Sequence, residues 1–172
     1  MELSDYTAVE TLRNGQPLVI RALTRGDRAA LLAAIGRASD TSRYRRFFTS
    51  KRGFTDQEIE FYLNVDFVKH VAFVALVDKG GQPTLVGGAR FIVAAPSEAE
   101  LAFVVDDAYQ GLGIGTALLR HLAIAGRTLG VATFVAEVLP DNVSMLRVFQ
   151  ASELAPSISS GDGVLHVTLH VR

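Results

Sequence analysis

Hydrophobic residues recur along the chain at two different spacings, which predicts a mixture of strands and helices. Segments that are continuously apolar, or that alternate apolar and polar residues, predict six strands over residues 18–23, 70–78, 84–94, 98–105, 131–138 and 163–171. Apolar residues at helical spacing predict four helices, which begin after Thr24, begin after Thr55, cover 111–130 and cover 142–150.

Two of the helix starts carry a capping signal, in which an acidic residue follows a threonine by three positions. Thr24 and Asp27 form the first pair, and Thr55 and Glu58 form the second. Such pairs satisfy backbone N–H groups that have no partner in the first turn of a helix. Apolar residues follow the first pair at helical intervals, at Ala30, Leu31, Ala34, Ile35 and Ala38.

The order of the predicted elements indicates one mixed α/β domain. Residues 79–82 predict a turn that joins the flanking strands into an antiparallel hairpin. A strand-helix-strand step follows over residues 98–138, and this combination argues against a doubly wound nucleotide fold. Residues 1–16 are polar and weakly patterned, so we expect a loose arm before a domain over residues 17–172.

Composition narrows the class of protein. The chain has 172 residues, 49% hydrophobic and 20% charged, as in globular domains. Its formal net charge of -1 gives no basic field for nucleic acid or for an anionic membrane, so neither is expected as a partner. The absence of Cys excludes disulfides and thiol catalysis, and the four His are scattered, so no metal site is expected. No leader or membrane-spanning segment is visible, and we expect a cytoplasmic protein.

The most informative stretch is residues 106–116, DDAYQGLGIGT, where a predicted strand runs into a predicted helix. Gly111, Gly113 and Gly115 let backbone N–H groups approach a ligand without a Cβ in the way. The helix start adds unsatisfied donors and a positive dipole end, which suits a diphosphate, although such a turn can also serve close packing alone. Thr116 stands where the dinucleotide fingerprint needs its third glycine, and no Gly-Lys-Ser/Thr follows, so both nucleotide motifs are excluded.

At these residues the sequence resembles the GNAT superfamily of acyl-CoA-dependent N-acetyltransferases. The family signature Gln/Arg-x-x-Gly-x-Gly/Ala is matched by residues 110–115, and the segment after the next strand is matched by residues 140–145. The resemblance covers roughly residues 18–154. It implies a GNAT-like, mostly antiparallel central sheet flanked by helices, and acetyl-CoA as the co-substrate.

The same resemblance implies how acetyl-CoA is held. Backbone amides of residues 112–116 would bind the coenzyme A diphosphate. The pantetheine arm would lie along the end of strand 101–105, where two strands splay apart, and would receive a hydrogen bond from Asn142. The residues assigned to the co-substrate in this way are Phe103, Val104, Val105, Gln110, Gly111, Leu112, Gly113, Ile114, Gly115, Thr116, Asn142 and Met145.

More narrowly, the sequence is similar to bacterial protein lysine acetyltransferases of the Pat type. The likeness rests on the Arg/aromatic segment 42–48 and on the Ala-Glu-aliphatic-Ala-Phe strand at residues 99–103. It implies that Glu100 is the general base. Acetyl transfer needs a base because a lysine amine, with a pKa of about 10.4, is almost fully protonated at pH 7. Strand alternation could instead turn Glu100 to solvent, and Glu98, two residues earlier on the same face, is its local rival.

The resemblance also bears on the other steps of the transfer. It implies the backbone N–H of Val105 as the donor to the oxyanion. Many family members place a Tyr seven residues after the Asn as a general acid, but Phe149 stands there. The thiolate would then leave unassisted or take a proton from water.

The sequence thus predicts an acetyl-CoA-dependent N-acetyltransferase that acts on lysine ε-amines of proteins. A small-amine acetyltransferase would share the cofactor site and differ in the acceptor pocket. A non-catalytic acyl-CoA sensor is the third alternative, which Phe149 favours and Glu100 opposes.

The basic and aromatic segment 42–52 could bind RNA, although the acidic residues directly after it argue against this. It could otherwise pack its aromatic rings in the core or form a wall of the acceptor channel.

Overall fold

The computed structural model describes residues 2–37 and 55–172, which contain eight strands and four α-helices. The strands are β1 (Thr7–Thr11), β2 (Pro17–Ala22), β3 (His70–Lys79), β4 (Gln82–Ala95), β5 (Glu98–Val105), β6 (Thr133–Val138), β7 (Ser157–Gly161) and β8 (Val164–His170). The helices are α1 (Arg28–Arg37), α2 (Asp56–Leu63), α3 (Ile114–Thr128) and α4 (Val143–Ala151). The sequence analysis also made predictions for Ala38 and for the basic segment 42–52. These residues lie outside the described part of the chain.

The eight strands form one sheet in the order β1-β2-β3-β4-β5-β6-β8-β7. Each neighbouring pair in it is antiparallel except β5 and β6, which are parallel and joined through α3. The predicted mixed α/β domain with a mostly antiparallel sheet is therefore confirmed, and so is the hairpin of β3 and β4. None of the helices in the described segments is long and apolar enough to cross a membrane.

The parallel pair separates soon after it begins. β5 and β6 pair only from Glu98 opposite Thr133 to Glu100 opposite Val135. β5 nevertheless continues to Val105 and stays paired with β4 up to that residue. The sheet is consequently split beyond Glu100, and one edge of residues 101–105 has no neighbouring strand among the described residues.

Helices cover both faces of the sheet. α1 packs against β4 and β5 on one face, and α3 packs against β3, β4 and β5 on the other. α3 lies very close to the sheet, since a Cβ on Gly126 would stand only 2.9 Å from the Phe134 ring. Phe134 in turn contacts Phe91, with ring centroids 5.3 Å apart, so this layer of the core is aromatic.

The helix starts follow the predicted chemistry. Both reciprocal hydrogen bonds of a capping box are present at Thr55 and Glu58. At the other pair, the Asp27 carboxylate accepts from the Thr24 N–H at 2.8 Å, and the Asp27 N–H donates to the Thr24 carbonyl at 3.0 Å, in a 3₁₀ turn over Arg25–Asp27 that leads into α1. Ala30 is exposed rather than part of the buried stripe of α1. α3 begins at Ile114 rather than at residue 111, because the glycine loop before it adopts left-handed backbone angles that end a right-handed helix.

The expectation of a loose N-terminal arm is wrong for residues 3–12. β1 pairs along its whole length with β2, and Leu3, Tyr6 and Leu12 are buried. Contacts with a distant part of the chain hold it there, since Glu10 forms an ion pair with Arg120 and a hydrogen bond with His121 on α3. Local patterning could not reveal these contacts, because the partners are more than 100 residues away in sequence.

The second unpredicted strand is β7, the outer strand of a hairpin with β8. Its sequence, SISSG, is polar and mostly exposed, and so resembles a loop. Asp162 and Gly163 join the two strands with φ of 56° and 79°. Positive φ at two successive residues is typical of the tight hairpin turn that Asp-Gly favours, so this dipeptide was the signal that could have identified the hairpin.

Candidate active site

A cleft of about 220 Å³ lies where β5 ends and α3 begins, with α4 along its other side. Gly111, Gly113 and Gly115 line its floor, and Phe103 and Val105 line the wall formed by β5. Gln110, Ile114, Thr116, Asn142 and Met145 complete the set of predicted co-substrate residues that meet here. Ten of the twelve residues assigned to the co-substrate from sequence are thus brought together at one place.

The glycine loop presents its backbone to this cleft. Gly111 and Gly113 have φ of 78° and 98°, in the region that only glycine adopts readily, and a Cβ on either would meet nothing within 4 Å. The first backbone N–H groups of α3 follow directly and have no acceptor within the helix. No acidic residue stands in the first turn of α3, so the positive end of the helix dipole is not neutralised there. This arrangement can hold a phosphate or diphosphate.

The split edge of β5 supplies further backbone donors beside the cleft. The Asp106 N–H donates to the Val86 carbonyl at 2.8 Å. Because N–H directions alternate along an antiparallel strand, the N–H of Val105 is then directed away from β4, into the gap between β5 and β6. The Val105 carbonyl accepts a weak hydrogen bond from Gln110 Nε2 at 3.4 Å.

Asn142 is the N-cap of α4 and only 9% exposed. Its Oδ1 accepts hydrogen bonds from the Met145 N–H at 3.3 Å and from the Ser144 hydroxyl at 3.4 Å. The side-chain NH₂ group is therefore the part of Asn142 that can donate to a ligand in the cleft. Phe149, on the same helix, is fully buried with its ring edge-on to Phe103, so it serves packing at this position.

Two predicted co-substrate residues do not line the cleft. The Val104 side chain lies on the opposite face of the sheet, in a small cavity with Leu31 of α1. Strand alternation explains this, since the neighbouring Phe103 and Val105 face the cleft. Leu112 is the second of these residues. Its carbonyl accepts a hydrogen bond from the Arg13 N–H, so its backbone contacts the turn between β1 and β2.

Glu100 occupies the vertex of the split, as the last residue of β5 that pairs with β6. It is partly buried and lies on the sheet face opposite to Phe103 and Val105. Cross-strand pairing places it between Ile92 of β4 and Val135 of β6 on that face. Glu98, its rival, lies on the same face but further back from the split.

A buried cationic cluster lies on the same face as Glu100. The Arg90 guanidinium donates to the Tyr62 carbonyl at 2.7 Å, contacts His70 Nε2 at 2.8 Å and stacks on the Tyr62 ring. Burial lowers the pKa of Arg90 to about 10 and raises that of Tyr62 to about 12. Burial, reinforced by the Arg90 charge, lowers the pKa of His70 to about 4. At neutral pH the cluster therefore holds one cation, on Arg90, and a neutral imidazole that accepts from it.

Sequence reasoning missed two basic residues of the cleft, Arg13 and Arg147. Arg13 was assigned to a loose arm, and only the long-range pairing of β1 brings it here. Arg147 could have been found, because it stands one turn after Ser144 on the predicted helix. Within residues 2–37 and 55–172, no three His, Asp or Glu side chains lie close enough together to hold a metal ion.

Comparison with known proteins agrees with this geometry. The model of the acetyltransferase (GNAT) family matches residues 40–152. Acetyltransferase Pat of Mycolicibacterium smegmatis is 34% identical over 139 residues, which make up 80% of this chain and 41% of that protein. The chain thus spans about two fifths of the length of this relative.

Comparison with solved structures also indicates a GNAT acetyltransferase fold. The GNAT domain of S. lividans PAT is 32% identical and has a TM-score of 0.82, over 95% of this chain and 96% of that chain. The fold is shared with yncA of Salmonella typhimurium, which was solved with acetyl-CoA, at 18% identity and a TM-score of 0.65, over 90% and 94% of the two chains. The GNAT-like fold class and the resemblance to Pat-type acetyltransferases are therefore confirmed.

Proposed function

This chain belongs to the GNAT acetyltransferase family, whose co-substrate is acetyl-CoA, and on that premise we propose that it transfers the acetyl group to the ε-amine of lysine in proteins, with Glu100 as the general base. The observation that carries the proposal is the position of Glu100 at the vertex of the split between β5 and β6. A thioester that enters from the cleft face and an amine that approaches from the opposite face would meet in this gap.

Successive parts of acetyl-CoA, from the diphosphate to the thioester, can each be assigned to residues along the cleft. The backbone amides of the glycine loop and of the first turn of α3 bind the diphosphate. The pantetheine arm lies along the free edge of β5, where the Asn142 amide can donate to it. The thioester then lies beside the Val105 N–H, in the gap that opens between β5 and β6 beyond the vertex.

Glu100 acts on the amine before it attacks. A lysine ammonium cannot attack a carbonyl carbon, because its nitrogen has no lone pair until a proton is removed. Glu100 takes this proton through water molecules in the gap, because Val105 lies five residues further along β5, about 16 Å on an extended strand. The amine nitrogen then bonds to the thioester carbon, and the negative charge that develops on the oxygen is stabilised by the Val105 N–H.

The leaving thiolate does not require an acid from the protein. Its conjugate thiol has a pKa of about 8.5, so the thiolate is a stable leaving group close to neutral pH. This agrees with Phe149, which stands where many family members have a tyrosine and is buried against Phe103. The C–S bond breaks as the amide forms, and the second proton that the nitrogen loses passes through water to the leaving thiolate.

Two observations support lysine as the acceptor. Glu137 lies two residues beyond Val135 on β6 and so shares a face with Glu100, on the open side of the split. Carboxylates on this face favour the approach of a cationic amine. The second observation is the similarity to Pat of M. smegmatis and to the GNAT domain of S. lividans PAT.

The proposal includes a cytoplasmic location, which a chain without cysteine favours.

The direct test is incubation of the protein with labelled acetyl-CoA and two matched panels, one of lysine peptides and one of small amines. The proposal predicts label on lysine side chains of peptides, lost when each lysine is replaced by arginine. Label on small amines alone would refute lysine side chains of proteins as the acceptor, although the protein would still be an acetyltransferase. Tight binding of acetyl-CoA without transfer to either panel would refute catalysis and favour an acyl-CoA sensor.

A further inference from the structure

We propose that Arg13, in the turn between β1 and β2, binds a phosphate group of the acyl-CoA, which makes the N-terminal hairpin part of the co-substrate site. The inference rests on the proposed function, since it concerns the same cleft. It assigns a binding role to a segment that lies outside the sequence motifs of the glycine loop and of α4.

Arg13 is attached to the glycine loop by two hydrogen bonds. Its backbone N–H donates to the Leu112 carbonyl at 3.1 Å, and its guanidinium Nη1 donates to the Gly111 carbonyl at 3.0 Å. The guanidinium is thus fixed at the edge of the loop whose amides face the cleft. It has five N–H donors in all, and the contact with Gly111 occupies only part of them.

The turn that carries Arg13 is well defined. Leu12 N–H donates to the Gln16 carbonyl at 2.9 Å, and Gly15 adopts φ of 86° to close the turn. Gln16 Nε2 also donates to the Asp78 carbonyl at 3.1 Å, at the end of β3. These contacts hold the backbone at Arg13 in place, so less conformational freedom is lost when its side chain binds a ligand.

The hairpin is also attached to the helix that forms the anion site. The Tyr6 hydroxyl bonds to His121 Nδ1 at 2.5 Å, and Glu10 contacts both His121 and Arg120 at 2.7 Å. Tyr6 stacks on Phe73 with centroids 4.6 Å apart, which fixes its ring in the core. The hairpin therefore contacts the glycine loop at one end and the middle of α3 at the other.

The charges of the cleft fit an anionic ligand. Among the described residues that line it, Arg13 and Arg147 are basic and none is Asp or Glu. This excess of positive charge is local, since the whole chain has a net charge of -1. A planar guanidinium suits phosphate because it can donate two parallel hydrogen bonds. Coenzyme A carries a diphosphate and a separate ribose phosphate, and either could be the partner of Arg13.

The test is calorimetric titration of coenzyme A and of 3′-dephospho-coenzyme A into the full chain and its variants. Arg13→Gln removes the charge but keeps a side-chain donor for the Gly111 carbonyl, so it separates phosphate binding from support of the loop. We expect Arg13→Gln and Arg13→Ala each to weaken coenzyme A binding about tenfold, with a smaller dependence of affinity on salt. The matched control is Arg172→Gln, whose arginine donates to the Gly130 carbonyl outside the cleft.

The kinetic counterpart uses acetyl-pantetheine, which lacks all the phosphates. We expect Arg13→Gln to lower the ratio of kcat/KM for acetyl-CoA to that for acetyl-pantetheine about tenfold, a change that a purely structural role would not produce. If Arg13→Gln affects only 3′-phosphorylated ligands, the partner is the ribose phosphate, and otherwise it is the diphosphate.

Three results would overturn the inference. If the unchanged protein binds coenzyme A and Arg13→Gln binds it equally well, the role of Arg13 is refuted while the proposed function stands. An equal loss with both acetyl donors would make Arg13 a structural residue. If the unchanged protein does not bind coenzyme A at all, the proposed function fails and the role of Arg13 fails with it.

Discussion

At the scale of residues, the site depends on where side chains stand relative to the split in the sheet. Glu100 is at the vertex, whereas Glu98 is two residues back, about 6.6 Å along a strand. Both lie on the face that we assign to the acceptor. The carboxylate that lies nearer to the gap has the shorter water path to the amine, so this separation favours Glu100 over Glu98 as the base.

We predict that Glu100→Gln lowers kcat for acetyl transfer about 100-fold or more at neutral pH, because the amide cannot accept a proton. Its affinity for acetyl-CoA should stay unchanged, since Glu100 lies on the face opposite to the cleft. Steady-state kinetics and calorimetry measure the two quantities. Glu98→Gln is the matched comparison and should change kcat less than about threefold. If Glu98→Gln lowered kcat more than Glu100→Gln does, Glu98 rather than Glu100 would be the general base.

His70 gives a prediction of pH dependence. Its pKa of about 4 in the folded chain lies below the ordinary 6.5, because it is buried and beside Arg90, although Asp66 opposes the shift. The unfolded chain therefore binds this proton more readily. The stability that neutral His70 provides is complete above about pH 6.5 and decreases as the pH falls towards 4, by at most about 3 kcal/mol.

The measurement is urea unfolding of the protein and of His70→Gln between pH 7.5 and 4.5. A glutamine carbonyl can still accept the Arg90 hydrogen bond but does not titrate. We expect the stability of the unchanged protein to fall relative to that of the variant as the pH is lowered. Parallel pH curves for the two proteins would contradict the assignment of a neutral His70.

The glycine loop and Asn142 could be identified from sequence because their function depends on local backbone geometry, which short motifs encode. Arg13 could not, since its place in the cleft depends on the pairing of β1 and on a hydrogen bond to Gly111, 98 residues away. Val104 was misplaced because a list taken along the strand ignores that alternate side chains face opposite sides.

At the scale of elements, close packing of α3 on the sheet positions the anion site. Gly126 lies in the interior of α3, where a glycine ordinarily weakens a helix. Its use there is explained by the distance of 2.9 Å from a Cβ at this position to Phe134 Cζ. Without a side chain, the helix axis can approach β6 closely.

We predict that Gly126→Ala destabilises the protein by about 1–2 kcal/mol, since the cost of overpacking exceeds the gain in helix propensity. Denaturant unfolding monitored by circular dichroism measures the change. The control is Gly26→Ala, where the nearest atom to a Cβ would be Thr24 Oγ1 at an ordinary 3.6 Å. That variant should be neutral within about 0.5 kcal/mol. Equal effects of the two substitutions would contradict the packing argument.

Most elements were predictable because their burial follows their periodicity. Thr55 and Glu58 mark the start of α2, Thr24 and Asp27 mark the 3₁₀ turn that leads into α1, and the alternation of β8 fixed its buried face. The two missed strands, β1 and β7, are the outer strands of the sheet. Outer strands pair on one side only and need little apolar surface, so their sequences do not differ from those of loops.

At the scale of the whole molecule, one irregularity of the sheet joins the two halves of the proposed chemistry. Only three residue pairs connect β5 to β6, and beyond them the strands diverge. The cleft with the glycine loop opens on one face of this gap, and Glu100 lies on the other. A fully paired sheet would have separated the acetyl donor from the acceptor.

The order of the elements predicted a mixed α/β domain with an antiparallel hairpin followed by a strand-helix-strand step. The position at which β5 and β6 separate could not be obtained from the sequence, because residues 101–105 are continuously apolar, as in a strand that is paired on both sides. Resemblance to the family supplied that expectation, and the strand register confirms it.

The most direct test of the account is a crystal structure of the protein with acetyl-CoA. We predict diphosphate oxygens within about 3.2 Å of backbone nitrogens in the loop 111–116. The acetyl carbonyl should lie in the gap between β5 and β6, with its oxygen at the Val105 N–H. A co-substrate held elsewhere, or a diphosphate bound by side chains while these amides bond within the protein, would contradict the central claim.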